Sequence, residues 1–286
     1  MAQAADGLGF HRYWIGEHHS QYQCANPLLL ATVLAGLTAR IRLGTGGVCL
    51  GYGNPYRIAE DARLANYLFP GRLDLGVARG LPYAPALLAA LGGGGAGGSE
   101  LQVSFAERAE AVHQYVTGRL PTGHPLAGSE LHLEPGPPVW ILGNSPASAR
   151  LAARLGAGFC ISLHHRPELE GARAAIADYT AAFSPSPEFP EPATIAVVSG
   201  VCAETAADAE AAAARIAGQA ADGGIALAAA PLFVGDPAAC AEKLTDVAGR
   251  LAIDELMILD FLAESWPMRL RMYELLAMAL GPRPAA

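Results

Sequence analysis

Strand-like and helix-like segments alternate along this chain, and that alternation constrains the fold more than any other feature. Tyr13–Gly16 reads as a short apolar strand. Asn26-Pro27 opens a helix through Ala39, with Asn as N-cap and Pro at the first helical position. Ile41–Leu50 is strand-like with a Gly-rich centre, and Asn54-Pro55 opens a helix to Phe69, closed by Pro70-Gly71. Arg72–Val77 is a strand with alternating apolar positions, and Phe105–Tyr115 a helix. Val139–Leu142 is a strand, and Ser145-Pro146 caps a helix ending at Gly156. Then come strand Phe159–Ser162, helix Pro167–Phe183, strand Thr194–Val201 and a helix over Ala206–Ile216. Asp236-Pro237 caps a helix to Leu251, Glu255–Asp260 is a strand, and Trp266–Leu280 is the last helix.

Strands that alternate with helices pair in parallel and give an α/β fold. Right-handed crossovers repeated about eight times close into a (β/α)8 barrel of the TIM type. A doubly wound open sheet is the rival, but it favours a Gly-rich dinucleotide turn after the first strand, and none is present. The 286 residues are enough to bury one large core, and we read residues 1–286 as one barrel domain, although the size alone would also allow two. The pattern holds seven strands, not eight. Residues 2 to 9 read as the end of a helix, with Gly7 and Gly9 as stop signals, so the reading implies a strand and most of a helix missing ahead of Met1. Two stretches interrupt the alternation. Leu91–Ser99, LGGGGAGGS, reads either as a slack surface loop or as a mobile lid over the site; it is not a P-loop, because no Gly-Lys-Ser/Thr follows. Pro121–Pro138 is Pro/Gly-rich, with a short β excursion expected at Glu130–His132.

Composition removes several classes of function. The net charge is −8 with no Lys/Arg cluster, so the phosphate-neutralising footprint of a nucleic-acid binder is absent. Cys24, Cys49, Cys160, Cys202 and Cys240 are scattered with no CxxC, which suggests buried thiols in a reducing compartment. The longest apolar runs, Pro27 to Leu37 and Gly224 to Val234, are too short to span a bilayer, and the N-terminus lacks a signal-peptide pattern. The expectation is a cytoplasmic protein that touches neither membrane nor nucleic acid.

In a parallel barrel, chemistry sits where strands hand over to the loops that follow them. The residues there are Glu17, His18 and His19; Gly44, Thr45, Gly46 and Gly47; Ala78, Arg79 and Gly80; Gly143, Asn144 and Ser145; and His164, His165 and Arg166. Glu17-His18-His19 looks like a ligand set, but adjacent side chains on a strand point to opposite faces, and no zinc spacing is present. A metal is therefore not expected. Ser145 is a natural N-cap followed by Pro146, and a helix start suits an anion such as phosphate. Ser148 lies one turn in, and Arg79, after a neighbouring strand, can clamp the same anion. An ordinary cap and a solvated arginine explain these residues equally well. Gly44-Thr45-Gly46-Gly47 interrupts a strong strand, which marks either a simple bulge or a close approach of backbone to a flat ligand.

Together these residues resemble the bacterial luciferase-like flavin monooxygenase family. The resemblance runs through RYWIGEHH, ARIRLGTGGV, NPYRIAEDARLANYLFPGRLDLGVARG, PVWILGNSPASARLAARLG and VGDPAACAEKL, between residues 10 and 246. The flavour is that of luciferase-like oxygenases from natural-product pathways. The resemblance implies a (β/α)8 barrel with FMN at the C-terminal rim. It makes His18 the catalytic acid/base and His19 a second histidine near the flavin. It makes Gly46 and Gly47 a small-residue pair able to form a non-prolyl cis peptide beneath the flavin ring. Arg79 matches a phosphate-binding arginine, Asn144, Ser145 and Ser148 match the phosphate-binding turn, and Arg108 matches a second phosphate arginine.

The implied activity is that of a monooxygenase. A separate NAD(P)H:flavin reductase supplies reduced FMN, O2 adds to it, and the peroxyflavin oxygenates a small organic substrate. Relatives often dimerise through the helices after the second and third strands, so a homodimer is expected. The alternatives are a deazaflavin-dependent dehydrogenase of the same fold, a non-catalytic flavin-binding or partner subunit, and an unrelated barrel hydrolase.

Overall fold

The helix starts marked in the sequence carry side-chain caps in the computed structural model, which describes residues 1–19, 24–80, 85–91, 104–127, 136–165, 167–221, 231–253, 255–259 and 265–281. Asn26 accepts from the Leu29 N–H at 2.9 Å, Asn54 from Tyr56 and Arg57, Ser145 from Ser148 at 3.2 Å, and Asp236 from Ala239 at 2.9 Å. Each such cap contributes about 1 kcal/mol. The helices they open are α2 (Pro27–Leu37), α3 (Pro55–Leu68), α6 (Pro146–Leu155) and α9 (Pro237–Leu251). The others are α1 (Ala2–Gly7), α4 (Pro85–Ala90), α5 (Phe105–Thr117), α7 (Leu169–Ala182), α8 (Ala206–Ala221) and α10 (Trp266–Leu280). No helix among the described residues is long and apolar enough to cross a membrane.

The strands are β1 (Arg12–Ile15), β2 (Arg42–Thr45), β3 (Val48–Cys49), β4 (Leu73–Ala78), β5 (Val139–Gly143), β6 (Gly158–Ser162), β7 (Thr194–Cys202), β8 (Phe233–Gly235) and β9 (Glu255–Leu259). Every pairing is parallel. Strands β1, β2, β4, β5, β6 and β7 follow one another, and β9 pairs with β7. This is the expected TIM-type barrel, nearly closed and wrapped by helices. Among the described residues β1 has one strand partner, β2, and β9 has one, β7.

The six-residue α4 was not expected and α8 runs on past Ile216; three further differences from the sequence reading have a physical cause. The helix expected to reach Ala39 stops at Leu37, because Asp6 of α1 accepts the N–H groups of Ala39, Arg40 and Ile41 and draws them out of the helix. The single strand expected over Ile41–Leu50 is two. Leu43 lies opposite Leu73 but Val48 lies opposite Val77, so the register against β4 shifts by one residue, as a bulge requires. The three-residue β8 pairs with the upper end of β7, at Gly200–Cys202, whereas β9 occupies its lower part, at Ile195–Ser199. Three residues are too few for periodicity to register. The excursion expected at Glu130–His132 and the glycine run that follows Leu91 lie outside the described residues.

The floor of the barrel is ionic. Asp74 of β4 is buried and accepts from Arg12 of β1 at 3.0 Å, from Arg42 of β2 at 2.8 and 2.9 Å, and from the Trp140 indole of β5 at 3.1 Å. Arg12 reaches on to Glu255 of β9 and lies over the Trp140 ring, 5.2 Å from its centroid. Burial pushes the Asp74 carboxyl up, but the two arginines and the indole outweigh it and hold its pKa below the ordinary value. Above the floor Trp14 fills the barrel, edge-on to Trp140 at 6.0 Å. A Cβ at Gly44 would overlap the Trp14 ring, and one at Gly76 would come within 3.2 Å of it.

Removing Asp74 leaves two part-buried arginines without their shared carboxylate. Asp74→Ala is expected to lower the unfolding free energy by about 3–5 kcal/mol, read as a lower urea midpoint. The native pKa is depressed, so the carboxylate's contribution is complete above its unfolded value of about 3.9 and is lost as pH falls through the native value. The stability gap between wild type and variant should therefore close on acidification in that window.

Candidate active site

The strand ends build one cavity of about 810 Å³ at the C-terminal mouth of the barrel, continued downward along β1 and β9. Of the residues singled out in the sequence, His18, Gly46, Gly47, Arg79, Asn144, Ser145 and Ser148 line it. His19 and Arg108 are not among the lining residues.

After β1 the chain leaves regular structure, and the His18 N–H donates to the Cys24 carbonyl at 2.9 Å. The His18 ring folds back over Gly16: a Cβ there would stand 3.4 Å from Nε2 and 3.8 Å from the Gly46 carbonyl oxygen. His18 is thereby placed beside the Gly46–Gly47 peptide, which is cis. A Cβ on Gly47 would meet the Gly76 carbonyl at 2.9 Å, so the bulge between β2 and β3 takes no side chain there. Thr45 anchors its entrance, donating its hydroxyl to the Gly76 carbonyl at 2.7 Å. Bulge and close approach, the two readings of the glycines, describe the same backbone: the extra residue of the bulge sits at a bare stretch facing the cavity.

Glu17 had no assigned role in the sequence, and the structure makes it a tie. One carboxylate oxygen meets His19 Nε2 at 2.7 Å, and the other accepts the Cys49 N–H of β3 at 2.8 Å. The His19 ring stands edge-on to Tyr52 at 5.8 Å, and Tyr52 lies against Gly80, just past Arg79. His19 thus supports the loop that presents Arg79. Arg108 does the same from below, donating to the Gly53 carbonyl at 3.2 Å and the Leu50 carbonyl at 3.4 Å. Burial, and then the charge of His19, pushes the His18 pKa below the ordinary histidine value.

The other side of the mouth is built for an anion. Arg79 is exposed, and among the described residues nothing hydrogen-bonds or pairs with its guanidinium, while its backbone carbonyl is pinned by the Gly51 N–H at 3.1 Å. Across from it α6 begins at Pro146, with the Ser145 and Ser148 hydroxyls 3.1 Å apart. Gly143 allows this, because a Cβ there would overlap the Ser148 side chain. A cation with no partner among the described residues, in one cavity with the capped start of a ten-residue helix, favours a negative group between them.

A barrel with this rim defines a class, and comparison with known proteins gives the same one. The profile of the luciferase-like monooxygenases matches residues 1–225. The Bacillus subtilis protein YwcH is 34% identical over 214 residues, 73% of this chain and 63% of YwcH. The oxygenase component of the flavin-dependent trigonelline monooxygenase of Acinetobacter baylyi is 42% identical over 82 residues, 28% of this chain and 23% of that protein. The solved structure of apo-MsnO8 superposes with a TM-score of 0.81 at 32% identity, covering 99% of this chain and 92% of that one. This chain belongs to the luciferase-like monooxygenase family. It spans less than two thirds of the length of curated relatives such as YwcH.

Proposed function

We propose that this protein is the oxygenase of a two-component flavin monooxygenase: it binds reduced FMN delivered by a separate reductase and, with O2, oxygenates a small organic molecule. The observation that carries this reading is the joining, in one cavity, of bare backbone at Gly46–Gly47 with an Arg79 guanidinium that has no partner among the described residues and a helix start capped by Ser145. That set fits a flat ring bearing a phosphate arm. Bare glycine backbone admits the ring; Arg79, Asn144, Ser145 and Ser148 would hold the phosphate. His19 and Arg108 would act through others, fixing the Arg79 loop. FMN, when bound, supplies the oxygen-activating redox chemistry. His18, kept neutral by burial and by His19, would accept or return a proton beside the ring site. The trigonelline relative is named as an oxygenase component, which supports a reductase on a separate chain.

A second copy of this chain is the expected partner. Leu29, Val33 and Leu37 form an exposed apolar stripe on α2, and Leu64, Tyr67 and Leu68 continue it on α3. Leu29 is 62% exposed and Tyr67 58%, and exposed apolar residues clustered in this way mark an interface.

The test compares ligands that differ only in the phosphate. Wild type should bind FMN more tightly than riboflavin, and Arg79→Ala should lose about tenfold or more for FMN with little change for riboflavin, read by flavin fluorescence quenching. Equal affinity for both ligands in wild type would remove the phosphate site. His18→Ala should keep FMN affinity and lose roughly 100- to 10,000-fold in product formation from a panel of small ketones, aldehydes and thioethers. Because the His18 pKa is depressed, wild-type turnover should persist below the ordinary histidine value of about 6.5, falling only as pH passes through the lowered one. Paired Val33→Glu and Leu37→Glu changes should convert a dimer to a monomer by light scattering; a wild-type monomer sinks the dimer.

A further inference from the structure

The second histidine pair at the mouth, His164 and His165, follows β6 and has no part in the reading above. Its backbone is fixed: Leu163 is buried and donates to Val197 at 2.9 Å, and His165 donates back to Ser162 at 3.4 Å. The two rings lie 3.9 Å apart between centroids, tilted 43° to one another, and both residues line the cavity. His164 Nδ1 is buried and has no hydrogen-bond partner among the described residues. His164 lines the cavity, and of its two ring nitrogens only Nδ1 is both buried and without a partner, which leaves Nε2 for a ligand in the cavity.

We propose that His164 is a fixed, neutral hydrogen-bond donor, whose Nε2–H meets an uncharged carbonyl oxygen of the bound ligand across the mouth from His18. The argument is one of proton placement. A charged imidazole would bury an Nδ1–H with no acceptor, and so would the tautomer with its proton on Nδ1. Orphaned buried N–H groups are rarer than under-satisfied acceptors, so the proton belongs on Nε2, where a ligand can use it. Burial, followed by the neighbouring His165, pushes His164 down to about 4, which agrees with a neutral ring at neutral pH. Among the described residues no carboxylate favours its charged form. An anionic partner would favour a second proton, on Nδ1, and the anion position is already served by Arg79 and the α6 start. A carbonyl makes no such demand. This assignment rests on the flavin monooxygenase reading for the source of the carbonyl, which is either the flavin ring or a ketone substrate.

Nitrogen NMR of the full chain labelled in its histidine rings tests it, with His164 identified by its loss in His164→Gln. At pH 7 the ligand-free chain should show His164 with a bare Nδ1 and a protonated Nε2. Adding oxidised FMN should shift Nε2 if the carbonyl is the ring's; adding cyclohexanone to the FMN-loaded chain should shift it if the carbonyl is the substrate's. His164→Leu should then weaken whichever ligand moved the signal by about tenfold, and His164→Gln, which keeps a neutral N–H donor, by no more than about threefold. A proton on Nδ1, a doubly protonated ring, or an Nε2 that responds to neither ligand overturns the proposal. A wild-type chain that binds no FMN fails the flavin reading instead. The ligand-free tautomer and the response to cyclohexanone alone then decide the role of His164.

Discussion

The charge network centred on Asp74 does what the backbone of this barrel does not do alone. Strands β1 and β9 face each other across the seam of the ring, and among the described residues no ladder joins them. Arg12 spans that distance, one end on Asp74 and the other on Glu255. Arg42 and the Trp140 indole fill the remaining acceptor positions of the carboxylate. Buried charge is costly, and this arrangement is tolerable because each charged group has partners on neighbouring strands. The floor also fixes what lies above it, since Trp14 is two residues from Arg12 on the same inward face.

From that floor the site is built by taking side chains away. Trp14 occupies space that Gly44 and Gly76 leave free, and the next layer up is backbone at Gly46–Gly47. Polar groups are then set around that bare patch on separate strands, with His18 after β1, Arg79 after β4, Ser145 after β5 and His164 after β6. Each is held by something other than itself: His18 by its backbone bond to Cys24, the Arg79 loop by Gly51 and Tyr52, Ser145 by the first turn of α6. Placement on strand ends gives these groups fixed positions while leaving the connecting loops free to vary.

Much of this could be read from the residues. Asn26, Asn54, Ser145 and Asp236 announce their helices because a cap is a local interaction, complete within three residues. The rim positions followed from strand ends, and seven of the nine residues that the family resemblance assigns to the site line the cavity. What escaped was non-local. Nothing near Asp74 in sequence shows that Arg12, Arg42 and Trp140 converge on it. Nothing near Leu37 shows that Asp6, some thirty residues earlier, ends its helix. His19 and Arg108 carry the right chemistry to touch a ligand, and only the positions of Glu17, Gly53 and Leu50 turn them toward supporting roles. The orphaned nitrogen of His164 is likewise a property of its surroundings.

The cavity does not end at the rim; it follows β1 and β9 down to Phe10 and Tyr273, whose rings meet at 5.6 Å. Its long wall is therefore the same seam that Arg12 and Glu255 bridge. Among the described residues that wall is joined by side-chain charge, whereas neighbouring strands elsewhere in the sheet are joined by backbone ladders. The charge network and the lower part of the binding space therefore share residues, because Arg12 and Glu255 line the cavity as well as bridge its seam.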